Sequence, residues 1–156
     1  MRRATVLGAI LALVASLAVA TDSKTDFSGT WKENMEKGTA PKGSGTTSYM
    51  NKIEQKGDTL KVVTTTGGSR GERTYERTYV IGKEDKHTGS DGDEFTSITK
   101  WEGKSLVFET SERERGDTIT SKETWTLSDD GKTLTKTRHS HGPRGDRDQK
   151  YILEKQ

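Results

Sequence analysis

Basic side chains share predicted strand faces with aromatic or apolar ones in two short segments of the chain, and this spacing could hold a ligand. Arg77 lies between Tyr75 and Tyr79, and Arg138 follows Lys136 by two residues. In an extended backbone, residues two apart share one face, and a planar guanidinium can bind a carboxylate through two parallel hydrogen bonds. We therefore predict an anionic ligand with an apolar body. The predicted ligand contacts are Arg77, Tyr79, Trp101, Phe108, Arg138 and Tyr151.

The same faces have a second interpretation. Where strands end, arginine and lysine side chains commonly extend into water, so Arg77 and Arg138 could be solvated residues that bind nothing. The interpretations differ in whether these faces enclose a cavity of about 300 Å³ or more, which is the lower size of ligand pockets.

Metal and catalytic sites are less well supported. His139 and His141 stand at a chelating spacing, but no carboxylate partner is apparent, so a solvated surface is favoured and no metal site is predicted. The chain contains no cysteine, which excludes thiolate ligands and cysteine nucleophiles. No serine-hydrolase motif, zinc-protease motif or phosphate loop occurs. We expect a non-catalytic protein without a cofactor.

Apolar residues recur at alternate positions in eight runs separated by glycine and aspartate, which is the period of half-buried strands. The opposite faces are rich in threonine, whose branched Cβ suits a pleated sheet. The residues that share a face, run by run, are Tyr49, Asn51, Ile53 and Gln55; Leu60, Val62 and Thr64; Tyr75, Arg77, Tyr79 and Ile81; Phe95, Ser97, Thr99 and Trp101; Leu106, Phe108 and Thr110; Ile119, Ser121, Glu123, Trp125 and Leu127; Leu134, Lys136 and Arg138; Gln149, Tyr151 and Leu153.

With a first strand over residues 27–33, the pattern predicts nine strands, joined by short glycine-containing turns and by two long polar segments, 34–47 and 82–93. Such connections leave no room for crossover helices, so neighbouring strands should pair antiparallel. Closure into a barrel removes the exposed edges. We predict an all-β fold, an antiparallel up-and-down meander of 8–10 strands closed into a barrel.

The first twenty residues differ from the rest. Arg2 and Arg3 precede an apolar stretch over 6–17, and Ala18-Val19-Ala20 is a small-residue cleavage pattern. This order is typical of a secretory signal peptide, so we expect a signal-peptide helix over 1–20; an uncleaved anchor is the alternative. Residues 21–156 then form a single domain outside the cytoplasm, periplasmic or secreted. No later segment is apolar enough to span a membrane as a helix.

Without that leader, only 27 of 136 residues are apolar, and basic and acidic residues balance at 24 each. So few apolar residues often indicate disorder, but their strict alternation favours strands. A neutral domain is not expected to bind nucleic acid through bulk charge. No feature of the sequence predicts an oligomeric state.

The segment Phe27-Ser28-Gly29-Thr30-Trp31-Lys32 resembles the opening of the calycins, the superfamily of lipocalins and fatty-acid-binding proteins. The segments 100–104 and 150–155 resemble a central hairpin and the closing strand of the fatty-acid-binding branch. The resemblance implies a calycin-like barrel in which Gly29 and Trp31 are structural. It also implies a basic residue packed over Trp31, for which Arg144 and Arg147 are candidates.

In the fatty-acid-binding branch, an Arg-x-Tyr on the last strand holds the ligand carboxylate. Here Tyr151 matches that pattern, but Gln149 stands where the arginine would be, which puts a fatty-acid ligand in doubt. The expected function is that of a secreted or periplasmic lipocalin-like protein, which binds a small hydrophobic or amphipathic ligand without catalysis. The alternative is a secreted barrel with a filled core that acts through its outer surface, as an interaction or envelope-associated protein.

Overall fold

A computed structural model describes residues 24–39, 45–88, 94–114 and 116–156. The predicted signal-peptide helix over 1–20 lies outside the described residues. Ten strands form: β1 (Gly29–Glu33), β2 (Thr46–Lys56), β3 (Thr59–Gly68), β4 (Gly71–Val80), β5 (Glu84–Thr88), β6 (Glu94–Glu102), β7 (Ser105–Glu114), β8 (Asp117–Leu127), β9 (Thr133–Gly142) and β10 (Gly145–Lys155).

The ten strands form one antiparallel sheet in the order β4-β3-β2-β1-β10-β9-β8-β7-β6-β5. Each strand pairs with its sequence neighbour except β4 and β5, and β1 pairs with β10, with Trp31 opposite Lys155. The sheet is thus a nearly closed barrel with one seam, between β4 and β5. The predicted all-β meander is confirmed.

Strand β5 lies inside the segment 82–93 that the sequence predicts to be a polar connection. Its residues show no apolar alternation, and it pairs only with β6, where Asp85 lies opposite Ser97 and Lys86 opposite Thr96. The neighbouring strand therefore supplies the structure here, because β-propensity depends strongly on context. The polar connection is therefore shorter than the sequence predicts, and the described residues form ten strands.

The strand faces predicted from alternation point into the barrel, and the apolar residues collect at one end of it. This closed end has a core of Phe27, Trp31, Ile53, Leu60, Leu106, Leu134 and Leu153, each of them less than 2% exposed. Trp31 Nε1 donates to the Phe27 carbonyl oxygen at 2.9 Å, so the one polar atom of the indole is satisfied inside the core. The structural role predicted for Trp31 agrees with this position.

The basic residue over Trp31 is Lys155, whose Nζ lies 5.2 Å from the ring centroid. The expectation that Arg144 or Arg147 would take this place is wrong. Both lie at the β9–β10 turn and the start of β10, whereas the β1–β10 register sets Trp31 opposite Lys155 at the other end of the strand. Gly29 has a φ of +143°, a backbone conformation that residues with a Cβ rarely adopt, so glycine is favoured at this position.

No helix in the described parts of the chain has the length and apolar character to cross a membrane.

Candidate functional site

A cavity of about 290 Å³ lies inside the barrel, above the apolar core. It contains all four tyrosines of the chain together with three basic residues and a single acid. Its polar lining, apart from Thr64, consists of Tyr49, Tyr75, Tyr79, Tyr151, Arg77, Lys136, Arg138 and Glu123. With Val62 and Trp125 as apolar walls, the cavity has the mixed character of a small-molecule site, at the lower limit of the usual size.

The tyrosines are held by aromatic packing. Tyr49 stacks on Tyr151 with ring centroids 5.5 Å apart, and Tyr79 meets Phe108 edge-on at 4.9 Å. Burial raises the pKa of Tyr49, Tyr79 and Tyr151 above the ordinary phenol value. These phenols therefore stay protonated at neutral pH and can donate hydrogen bonds to an acceptor in the cavity.

Lys136 is a basic residue placed in the barrel interior, only 2% exposed. Its Nζ donates to Asn51 Oδ1 and lies 3.7 Å from the centroid of the Trp125 ring. Asn51 in turn donates through Nδ2 to Thr64 Oγ1 at 2.9 Å. Burial lowers the pKa of Lys136 to about 8, and the Glu123 carboxylate opposes this shift. The ammonium is thus held by an amide oxygen and a π face rather than by a salt bridge.

Glu123 is the one carboxylate of the cavity lining, and Trp125 Nε1 donates to its Oε1. The two residues stand two apart on β8 and point to the same side. The indole therefore fixes the carboxylate toward one wall, where it neutralises part of the basic charge.

Arg138 is the most unusual of the cavity arginines. Its Nε is buried and has no hydrogen-bond partner among the residues that the structure describes. Buried donors are nearly always paired in proteins, so an unpaired guanidinium nitrogen indicates a missing acceptor. Arg77, by contrast, is exposed and lies 4.4 Å over the Phe95 ring centroid, which positions its guanidinium at the cavity margin.

A second basin, of about 560 Å³, lies at the open end of the barrel and shares Arg138 with the inner cavity. Arg144, Arg147 and His141 line it, and Asp117 is its only acidic lining residue within the described parts. The two cavities therefore meet at Arg138, and the approach to the interior is positively charged.

Four of the six predicted contact residues line the inner cavity: Arg77, Tyr79, Arg138 and Tyr151. The other two, Trp101 and Phe108, lie in the core beneath it. Trp101 stacks on Phe27 at 6.0 Å, and Phe108 packs against Trp125 at 4.6 Å. Whether any of these residues binds a ligand stays a prediction.

Four further cavity residues are not among the ligand contacts predicted from the sequence: Lys136, Glu123, Tyr49 and Tyr75. The signal was present, because each stands on a predicted strand face; Lys136 is two residues from Leu134, and Glu123 is two residues from Trp125. Strand alternation gives the face of a residue but not its depth in the barrel, so a buried lysine looks the same as one near a strand end.

His139 and His141 lie on β9, each beside an aspartate of β10. The His139 Nδ1–Asp148 Oδ1 distance is 2.8 Å and the His141 Nδ1–Asp146 Oδ1 distance is 2.5 Å. The hydrogen bond with Asp148 raises the pKa of His139. No group of three metal-ligating side chains occurs among the described residues. The surface interpretation of this pair agrees with these positions.

Comparison with solved structures places the barrel among known folds. Lipid binding protein 8 of Caenorhabditis elegans superposes with a TM-score of 0.62 at 16% identity, over 83% of this chain and 95% of that one. Zebrafish ileal bile acid-binding protein, solved with cholic acid, superposes with a TM-score of 0.56 at 19% identity, over 83% of this chain and 98% of that one. Secretory abundant heat soluble protein 4 of Ramazzottius varieornatus superposes with a TM-score of 0.58 at 17% identity, over 83% of this chain and 94% of that one.

No protein-family model matches the sequence, and no curated protein matches it with significance. The similarity is therefore one of structure, at identities that establish the fold alone. The predicted resemblance is confirmed at the level of the fold: the described strands form an antiparallel barrel similar to those of known lipid-binding proteins.

Proposed function

We propose that the barrel binds a compact amphipathic anion in the tyrosine-lined cavity, without catalysing a reaction. One observation carries the proposal, the buried Arg138 Nε that has no partner among the described residues. A ligand carboxylate at this point supplies the missing acceptor, and hydrogen bonds to charged groups are among the stronger ones in proteins.

The charge around the cavity favours an anion. Arg77, Lys136 and Arg138 line it with Glu123 as the single acid, and Arg144 and Arg147 add positive charge at the open end. The protonated phenols of Tyr49 and Tyr151 add neutral donors. An anionic group therefore gains both charge pairing and hydrogen bonds, whereas a cation is repelled.

The size of the cavity favours a compact ligand. About 290 Å³ is near the lower limit for ligand pockets, and the core below it is filled by residues such as Leu60 and Leu106. Gln149 in place of an arginine on the last strand also separates this site from the fatty-acid pattern. A single aromatic ring or a short acyl chain fits these limits better than a long-chain fatty acid.

Known proteins with this fold support a binding role. The similar structures include a fatty acid transporter, a lipid binding protein and a bile acid-binding protein in complex with cholic acid. We further propose that the protein acts outside the cytoplasm, periplasmic or secreted, because its first twenty residues have the charged, apolar and Ala-x-Ala regions of a signal peptide.

Calorimetric titration tests the proposal with benzoate, decanoate, palmitate and neutral benzamide. We expect benzoate or decanoate to bind, palmitate to bind more weakly, and benzamide not to bind. In Arg138→Gln, loss of the charged hydrogen bonds should weaken benzoate about ten- to hundredfold, whereas Arg113→Gln, an exposed residue of β7, should bind as wild type does.

Two outcomes contradict the proposal. If no anion in the panel binds or raises the melting temperature, the barrel acts through its outer surface as an interaction protein. If benzoate binds equally to wild type and Arg138→Gln, Arg138 is not where the anion sits.

A further inference from the structure

We propose that Lys136 is a covalent capture site for aldehydes, whose Nζ forms a reversible imine with an aldehyde held in the inner cavity. The inference uses the cavity of the proposed function but a different part of it, since the anion sits at Arg138 and the imine forms deeper, at Lys136. The inference rests on the proposed function and narrows the proposed ligand to a compact anion that also carries an aldehyde group.

The position of the amine carries the argument. Lys136 lies on β9 between Trp125 of β8 and Tyr151 of β10, which are its direct partners in the two ladders. The side chain is 2% exposed, and it lines the cavity with both of these aromatic residues. The primary amine is thus shielded from bulk water, and an aldehyde that reaches the inner part of the cavity lies beside it. Water exclusion favours the imine, because hydrolysis reverses its formation.

Lys136 forms no salt bridge with any residue that the structure describes, so none of these residues holds it in its charged form. Other lysines in the described parts pair with carboxylates at the surface, as Lys61 does with Glu76 at 3.0 Å and Lys100 with Glu109 at 2.7 Å. Lys136 has Asn51 Oδ1 and the Trp125 ring instead. Both contacts are compatible with a neutral amine, since the nitrogen keeps N–H donors after it loses a proton.

Desolvation makes the neutral amine available. Burial lowers the pKa of Lys136 to about 8 from 10.5. At pH 7.5 about a quarter of Lys136 is then unprotonated, against about one in a thousand for an ordinary lysine. Because only the neutral amine is nucleophilic, this excess directs an aldehyde to Lys136; desolvated lysines are the ones proteins use for Schiff-base chemistry.

The chemistry balances without an oxidant or reductant. The Nζ lone pair attacks the carbonyl carbon, a C–N bond forms, and the carbonyl oxygen takes up a proton to give a carbinolamine. The hydroxyl then leaves as water with the proton that the nitrogen has lost, and the C=N bond forms. Tyr49 and Tyr151, kept protonated by burial, line the same cavity and can donate a hydrogen bond to the oxygen.

The test traps the imine. The protein is incubated at pH 7.5 with a limiting amount of 4-formylbenzoate, reduced with cyanoborohydride, and mapped by peptide mass spectrometry over its 16 lysines. Among the lysines, we expect the main adduct at Lys136, at least about tenfold above any exposed lysine, given the difference in neutral fraction. Lys136→Met should lose this adduct, and Lys61→Met, changed at an outward-facing lysine, should keep it.

Adducts spread over surface lysines with Lys136 unmodified would overturn the proposal. Mapping on wild type needs no variant, so a misfolded Lys136→Met does not weaken the test.

Two further ligands separate the imine at Lys136 from the proposed anion site at Arg138. Benzoate binding without a Lys136 adduct overturns the imine alone. A Lys136 adduct with neutral benzaldehyde but no benzoate binding supports the imine and contradicts the anion site.

Discussion

At the scale of single residues, Lys136 has the clearest energetic consequence. A buried ammonium without an ion-pair partner is costly, and its depressed pKa of about 8 measures that cost. The unfolded chain keeps this lysine protonated up to its ordinary pKa of 10.5. Between these two values the unfolded state binds more protons than the folded state, so the free energy of unfolding must increase with pH.

Comparing wild type with Lys136→Met isolates this effect, because other titrating groups contribute to both proteins. From pH 7 to pH 9.5, the free energy of unfolding of wild type should gain about 2 kcal/mol relative to the variant. Urea unfolding at several pH values measures the difference. Parallel curves would mean that Lys136 titrates as an exposed lysine does.

At the scale of elements, the segment 24–28 before β1 closes one end of the barrel. Phe27 N donates to Gln55 Oε1 at 3.1 Å, and Thr25 Oγ1 donates to the Lys104 carbonyl oxygen at 2.9 Å. The Phe27 ring lies 6.0 Å from the Trp101 ring and 6.0 Å from the Trp125 ring. The segment thus connects β2, β6, β7 and β8 across the closed end.

Phe27→Ala should therefore destabilise the protein by about 3–5 kcal/mol, the usual cost of emptying a buried phenylalanine site. Ile98→Ala is the matched control, because Ile98 lies on β6 and is 39% exposed; its cost should be below about 1 kcal/mol. Denaturant unfolding of both variants checks the prediction. Similar losses in the two would show that the segment does not complete the core.

The seam between β4 and β5 is the second feature at this scale. The two strands share no ladder. In the turn that joins them, Ile81 N donates to the Asp58 carbonyl oxygen at 2.7 Å, and Gly82 N donates to the Thr99 carbonyl oxygen of β6 at 2.7 Å. These bonds fix the turn but leave the facing edges of both strands unpaired with each other. The opening lies beside the cavity, since Tyr75, Arg77 and Tyr79 of β4 line it.

Hydrogen–deuterium exchange should show this seam directly. Amides of β4 and β5 should exchange faster than those of β9, which is paired on both sides, because weakly paired edges open at low free energy. Benzoate should slow exchange in β4 more than in β5 if it binds the cavity. Equal protection of β4, β5 and β9 would contradict an open seam.

At the scale of the whole molecule, most of the fold can be predicted from the sequence, because strand alternation and glycine turns are local signals. They predict which residues share a strand face, the antiparallel order and the structural role of Trp31 at one end of the barrel. What they miss depends on register over long distances. Lys155 covers Trp31 because β1 pairs with β10, β5 forms because β6 is beside it, and Arg138 is an unpaired donor only once the barrel encloses it.

Charged residues are also unevenly distributed over the molecule. Residues 21–156 carry equal numbers of basic and acidic residues, yet Arg138, Arg144 and Arg147 line the open-end basin with Asp117 as its single described acid. A cleft lined by charge of one sign raises the local concentration of oppositely charged ligands and speeds their association. The open end should therefore steer anions toward the cavity.

The double variant Arg144→Gln/Arg147→Gln tests this steering. Stopped-flow quenching of tryptophan fluorescence, with Trp125 in the cavity wall, should show benzoate association slowed several-fold at low salt, with dissociation nearly unchanged. The difference should shrink as salt screens the field. Lys104→Gln/Lys132→Gln, in turns at the closed end, removes the same charge and should keep the wild-type rate. Equal slowing in both double variants would assign the effect to net charge rather than to the basin.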